Sequence, residues 1–202
     1  LKPIHYIIIL ILAFFVFSSP LNAGGIASFI DDYINIKYQQ SFDSYIFVSI
    51  KRQKLFYIKN GNVEKVFLIS TAKKGIGQEI HSQQTPEGLH VIKHMIGQNL
   101  PKNAIFKERV FNGEIAEIYT DKTDINEDFV TSRIMWLEGQ EEGINKGGNV
   151  DSYKRYIYIH GTPEEGLIGK PASHGCVRMK NKEVIELFDL VQVNTPVLIL
   201  NY

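Results

Sequence analysis

The chain has 202 residues, with 22 basic and 22 acidic side chains, so its formal charge is zero. That balance argues against nucleic acid or an anionic lipid surface as a partner, both of which are held by an excess of lysine and arginine. The length suits one domain with a real core, and a single cysteine, Cys176, excludes an internal disulfide framework.

In chain order, Lys2 precedes an apolar stretch from Tyr6 to Phe17, then Ser18-Ser19-Pro20-Leu21-Asn22-Ala23 supplies turn-forming and small residues. The run is short of the roughly 20 apolar residues a span needs, so residues 1–23 are expected to be a cleaved export signal. An uncleaved membrane anchor is the alternative, and either places the globular part in the periplasm or cell envelope. An unpaired thiol in an oxidising compartment is a liability unless it is used.

Residues 24–43 form a lead-in. Ile26, Phe29, Ile30, Tyr33 and Ile34 recur at helical spacing and predict an amphipathic helix over 25–38. From 44 to 202 a mainly β domain is expected. Strands are predicted at Tyr45 to Ile50, Lys54 to Ile58 and Lys65 to Thr71, with Asn60-Gly61 as a hairpin turn. Further strands follow at Leu89 to Ile96, Thr131 to Leu137, Arg155 to His160 and Pro196 to Leu200. Residues 97–130 show little periodicity and are expected to be a long loop, of the kind that serves as a lid. The stretch Gly139 to Asn149 is a second loop. A short helix from Lys182 to Val191 follows the cysteine, with Asn181 as its expected N-cap.

Chemistry concentrates in the last third. Cys176 sits in Ser173-His174-Gly175-Cys176-Val177-Arg178, sixteen positions after His160, which ends an apolar run. A lone thiol with histidines at hand is a candidate nucleophile, because an imidazole can take its proton. The thiol is expected to be activated, its pKa lowered by the paired ring. His160 is the expected base, with the Gly161 carbonyl orienting its other nitrogen. Gly175 and Cys176 are expected to offer backbone N–H groups to an oxyanion. Ser173 and His174 either contact substrate or brace the loop, and Arg178 either holds a substrate carboxylate or pairs with a local acid. His90 and His94 are read on one strand face, with His81 nearby, but no acid or thiol completes a zinc site. Neither metal nor cofactor is expected.

His160-Gly161-Thr162 followed by Ser173-His174-Gly175-Cys176-Val177-Arg178 closely resembles the catalytic signature of the L,D-transpeptidase (YkuD-type) family. Gln53 to Gly61, Ile69-Ser70-Thr71 and Thr85-Pro86-Glu87-Gly88-Leu89 resemble its opening strands, so the likeness covers roughly residues 44–200. Arg178 stands where family patterns often carry asparagine, as in some Gram-negative members. The resemblance implies the YkuD-like catalytic fold, Cys176 as nucleophile, His160 as proton carrier, and His174, Gly175 and Arg178 around the pocket. It implies peptidoglycan stem peptides as donor and acceptor, with a thioester intermediate, and carbapenem-type β-lactams as inhibitors. Within that fold the alternative is an L,D-carboxypeptidase, in which water resolves the thioester. A non-catalytic wall-binding module would have no use for an intact Cys176 and His160. Papain-like and caspase-like proteases order or space their cysteine and histidine differently.

Overall fold

The computed structural model describes residues 25–125 and 128–202; the predicted export signal lies outside them. The lead-in helix α1 spans Ile26–Tyr38 and is followed by a meander of β1 (Ser44–Ser49), β2 (Lys54–Lys59) and β3 (Asn62–Ser70). Asn60 and Gly61 both have positive φ, the conformation the predicted tight hairpin needs. The remaining strands are β4 (Gly88–Ile96), β5 (Ala104–Lys107), β6 (Val110–Ile115), β7 (Val130–Gly139), β8 (Tyr158–Gly161), β9 (Val177–Met179) and β10 (Pro196–Leu200), with helix α2 at Asn181–Leu190.

The ten strands of the described residues join one sheet in the order β4-β10-β1-β2-β3-β9-β8-β7-β5-β6, and β4 also pairs with β7. Eight strands therefore close into a ring, with the β5–β6 hairpin branching from the start of β7. Closure leaves both faces of several strands covered, which is why β1 reads as an almost unbroken buried run. Its Ile46 and Val48 face the main core, into which α2 inserts Val184, Leu187 and Phe188. Its Tyr45 and Phe47 face α1, which contributes Ala27, Ile30 and Ile34.

The structure corrects four expectations. Residues 97–130 are not one loop, because β5 and β6 lie within them. The hairpin was hidden because its turn is made by Glu108 and Arg109, both at positive φ, whereas Asn112-Gly113 falls inside an irregular β6. The strand holding His160 begins at Tyr158 rather than Arg155. Asn181 is the first residue of α2, and Lys180 occupies the cap position. Asn181 instead serves as a buried strut, accepting from the Thr131 and Ser132 hydroxyls and donating to the Thr162 carbonyl and Glu165. Finally, a bulge between Ile92 and His94 shifts the pleat by one residue. His90 is therefore buried while His94 is exposed.

Candidate active site

Register builds the site. β8 and β9 run parallel with Ile159 opposite Val177 and His160 opposite Arg178, while β7 pairs Trp136 with Tyr158 and Ile134 with His160. Side chains alternate across a sheet. Ile159, Val177 and Met179 therefore point into the main core, and Ile134, Trp136, Tyr158, His160, Cys176 and Arg178 share the opposite face. Cys176, just before β9, lies half-buried beside Tyr158. The Tyr158 N–H donates to its sulfur at 3.3 Å, and the thiol donates to the Tyr156 carbonyl at 3.4 Å.

The loop before Cys176 is braced from two sides. The Ser173 hydroxyl, buried, donates to the Cys176 carbonyl at 2.6 Å and accepts from the Gly175 N–H at 3.3 Å. Thr85, also buried, donates to the Gly175 carbonyl at 3.0 Å. Gly175 has φ of +133°, a conformation that glycine adopts freely and other residues rarely do. These contacts set the path of the loop at Cys176.

His160 is buried, with Nδ1 2.7 Å from the Gly161 carbonyl. A carbonyl can only accept, so Nδ1 carries the proton and Nε2 is the basic nitrogen. Burial lowers the pKa of His160 to about 4, against the opposing pull of Asp128 and the Gly161 carbonyl. The thiol moves the other way. Burial pushes Cys176 up to about 12; the Tyr158 N–H works against this and the charge of Asp128 adds to it. This reverses the expected activation, because desolvation penalises both charged forms and the resting pair is neutral thiol and neutral imidazole.

Arg178 is 2% exposed and already spoken for. Its Nη1 donates to Glu164 and its Nη2 to Asp128, each at 2.6 Å, and Glu164 is equally buried. The other oxygen of Asp128 lies 2.9 Å from Nδ1 of His174, whose ring is largely exposed. Burial alone would raise Asp128, but the charges of Arg178 and His160 and its hydrogen bonds hold it below the ordinary carboxylate value. A cavity of about 220 Å³ opens beside Tyr156, bounded by Ile80, His81, Gln83, residues 154–157 and His174. A similar cavity of about 250 Å³ lies against α1, between Tyr38, Phe42 and Glu141, with no nucleophile in its wall.

Sequence reasoning did not find Asp128, Glu164, Tyr158 or Arg155. Glu164 stands four residues after His160, and that proximity was the available signal. Asp128 lies among scattered acids with nothing local to single it out. His81, His90 and His94 do not converge: His90 is held between the Gly88 carbonyl and the Ser152 hydroxyl, and His94 contacts Tyr153. The Gly139 to Asn149 loop is tied by Glu141 and Asn145 to α1 and the start of β4.

Residues 43–199 match the family described as YkuD, the L,D-transpeptidase catalytic domain. The chain belongs to that family. YkuD of Bacillus subtilis (strain 168), which carries a provisional L,D-transpeptidase name, is 45% identical over 60 residues, covering 27% of this chain and 37% of its own. YqjB of the same organism, named in the same way, is 54% identical over 45 residues, 22% of this chain and 26% of its own. The matched stretches thus span about a third of these relatives' length. Among solved structures, L,D-transpeptidase 3 from Mycobacterium tuberculosis with a faropenem-derived adduct aligns over 78% of this chain and 60% of its own. Its identity is 14% and its TM-score 0.48. The YkuD fold of this chain is mostly β, with one short helix before the sheet and one after the cysteine.

Proposed function

We propose that this chain is a cysteine acyltransferase of peptidoglycan stem peptides that works through a thioester on Cys176. The observation that carries the reading is the pairing on one sheet face of a lone thiol with a histidine whose Nδ1 faces a backbone carbonyl, leaving Nε2 as a base. Membership of the YkuD family supports stem peptides as the substrate class.

In the first half-reaction Cys176 Sγ attacks the carbonyl joining diaminopimelate to the terminal D-alanine, and the thiol proton passes to Nε2 of His160. Because the resting pair is neutral, the thiolate forms only as the proton leaves, with substrate in place. The tetrahedral oxyanion is met by backbone N–H groups at Gly175 and Cys176, the former giving up its long bond to Ser173. The C–N bond then breaks, His160 returns the proton to the departing amine, and the thioester remains. In the second half an acceptor amine attacks the thioester and gives its proton to His160. The C–S bond breaks and the sulfur is reprotonated. Ser173 and Arg178 position the nucleophile loop and the strand behind it, while exposed His174 meets substrate at the rim. No step calls for a metal or a nucleotide.

The β5–β6 hairpin, which covers part of the site face, supports an amine acceptor over water, since an acyl-enzyme awaiting a second peptide must be shielded. Export through residues 1–23 would place the enzyme with its substrate in the cell envelope. A strained carbapenem lactam presents an acyl carbonyl to the same thiol, so one covalent adduct is expected on the wild type and none on Cys176→Ala. The deciding experiment incubates purified enzyme with tetrapeptide muropeptides and resolves products by mass. Dimers joined between two diaminopimelates, or exchange of terminal D-alanine for an added D-amino acid, support the transpeptidase. Tripeptide and free D-alanine alone, at high substrate, would assign an L,D-carboxypeptidase. No product from wild type would refute both.

A further inference from the structure

Three arginines lie around the site, two of them close enough for their charges to act on the thiol, and they differ in what their donors already hold. Arg178 is clamped between two carboxylates. Arg155 is locked in the wall of the cleft, its Nη1 donating to the Gly77 and Gln78 carbonyls and its Nη2 to the Gln84 carbonyl and Ser82 hydroxyl. Arg109 is different. Its one hydrogen bond among the described residues is a long one, 3.4 Å from Nη1 to the Tyr158 hydroxyl, and none of the described carboxylates forms an ion pair with it.

Arg109 is nevertheless held in place. Its guanidinium lies 5.1 Å from the ring centroids of both Trp136 and Tyr156, and the side chain is half-buried. Contacts with ring faces stabilise the cation without using its in-plane N–H donors, which stay available for a planar anion. The backbone there is also unusual. Glu108 and Arg109 have φ of +50° and +69°, a turn that asparagine and glycine would make at less cost. The turn fixes the side chain at the tip of the hairpin. Tyr158 ties the arginine to the chemistry, because its N–H meets the Cys176 sulfur while its hydroxyl meets Arg109. The guanidinium therefore stands about one tyrosine away from the reacting atom, on the face where substrate must lie.

We propose that Arg109, at the tip of the β5–β6 hairpin, is a specificity-determining residue that binds a free carboxylate of the donor stem peptide. This rests on the stem-peptide reading above. It assigns to Arg109 the anion-binding role that the sequence offered to Arg178, whose two outer nitrogens are occupied by Asp128 and Glu164. A charge-assisted contact of this type changes affinity about tenfold or more.

The test measures binding rather than turnover, by calorimetry on full-length Cys176→Ala protein. Four ligands are used: the tetrapeptide L-Ala-γ-D-Glu-meso-diaminopimelate-D-Ala and three analogues, each with one of its three carboxylates amidated. One analogue should bind Cys176→Ala about tenfold more weakly than the parent. In Cys176→Ala/Arg109→Gln the parent should weaken by a similar factor, and the same analogue should show no additional loss, the non-additivity expected of partners in contact. Arg109→Lys, which keeps the charge and serves if the glutamine variant does not fold, should retain a preference for the same carboxylate. If Arg109→Gln weakens all four peptides equally, or none, Arg109 only braces the hairpin and the proposal falls while the stem-peptide reading stands. If no peptide binds Cys176→Ala, the stem-peptide reading itself fails.

Discussion

The neutral resting pair makes a prediction opposite to the usual picture of an activated cysteine, and its size can be worked out. With its pKa at about 12 instead of 9.0, the Cys176 thiol is ionised roughly a thousandfold less at pH 7.5 than an ordinary one. A more basic thiolate is a better nucleophile, and a Brønsted coefficient near 0.45 restores about twentyfold over that range. The net expectation is alkylation about fiftyfold slower than for a small reference thiol. With His160 held down to about 4 and the thiol pushed up, the proton rests on sulfur rather than on the imidazole, and since both arrangements hold the same number of protons no change of pH turns one into the other. The logarithm of the rate should therefore climb with unit slope from pH 6 to beyond pH 9, without a plateau. Iodoacetamide followed by intact mass reads this directly, because Cys176 is the only cysteine in the chain. A plateau below pH 8, or a neutral-pH rate above the reference, would refute the argument and restore a preformed ion pair.

Three further outcomes are expected. His160→Asn should cut turnover by roughly 10² to 10⁴, the usual worth of a general acid–base group, and His174→Ala by less; steady-state kinetics that reverse the order would exchange the two roles. Glu164→Gln leaves buried Arg178 with one carboxylate in place of two, a loss of about 3 kcal/mol or more. In a chain of this size that lowers the melting temperature by at least about 6 °C, and a drop under about 2 °C would show the pair to be dispensable. His90 and His160 are both held down to about 4 by burial, so they take up protons more readily unfolded than folded. Their contribution is complete above about pH 6.5 and is lost as pH falls toward 4, up to about 3 kcal/mol each. The urea midpoint should fall steadily across that window, and a flat profile from pH 7 to 4.5 would contradict the burial of both rings.

Local chemistry in the chain was enough to point to the family and to much of the scaffold. The Asn60-Gly61 turn, the apolar spacing of α1 and α2, and the β-branched runs of the meander act between residues a few positions apart, so they are legible without a fold. The closeness of Cys176 to His174, two positions away, was visible for the same reason. Tertiary structure decided the rest. Asp128 meets Arg178 across fifty residues of chain, and only the register of β8 against β9 puts Cys176, His160 and Arg178 on one face. The β5–β6 hairpin exists because β5 pairs with β7, not because of its own weak alternation. A single bulged residue, invisible in the pattern of β4, moved His94 from the buried face to the exposed one. The protonation preference of Cys176 was the least accessible feature, since it depends on how much water the closed sheet removes from around the thiol. Residue types name the groups that can react, whereas burial and long-range pairing determine their charge, and those exist only once the chain has folded.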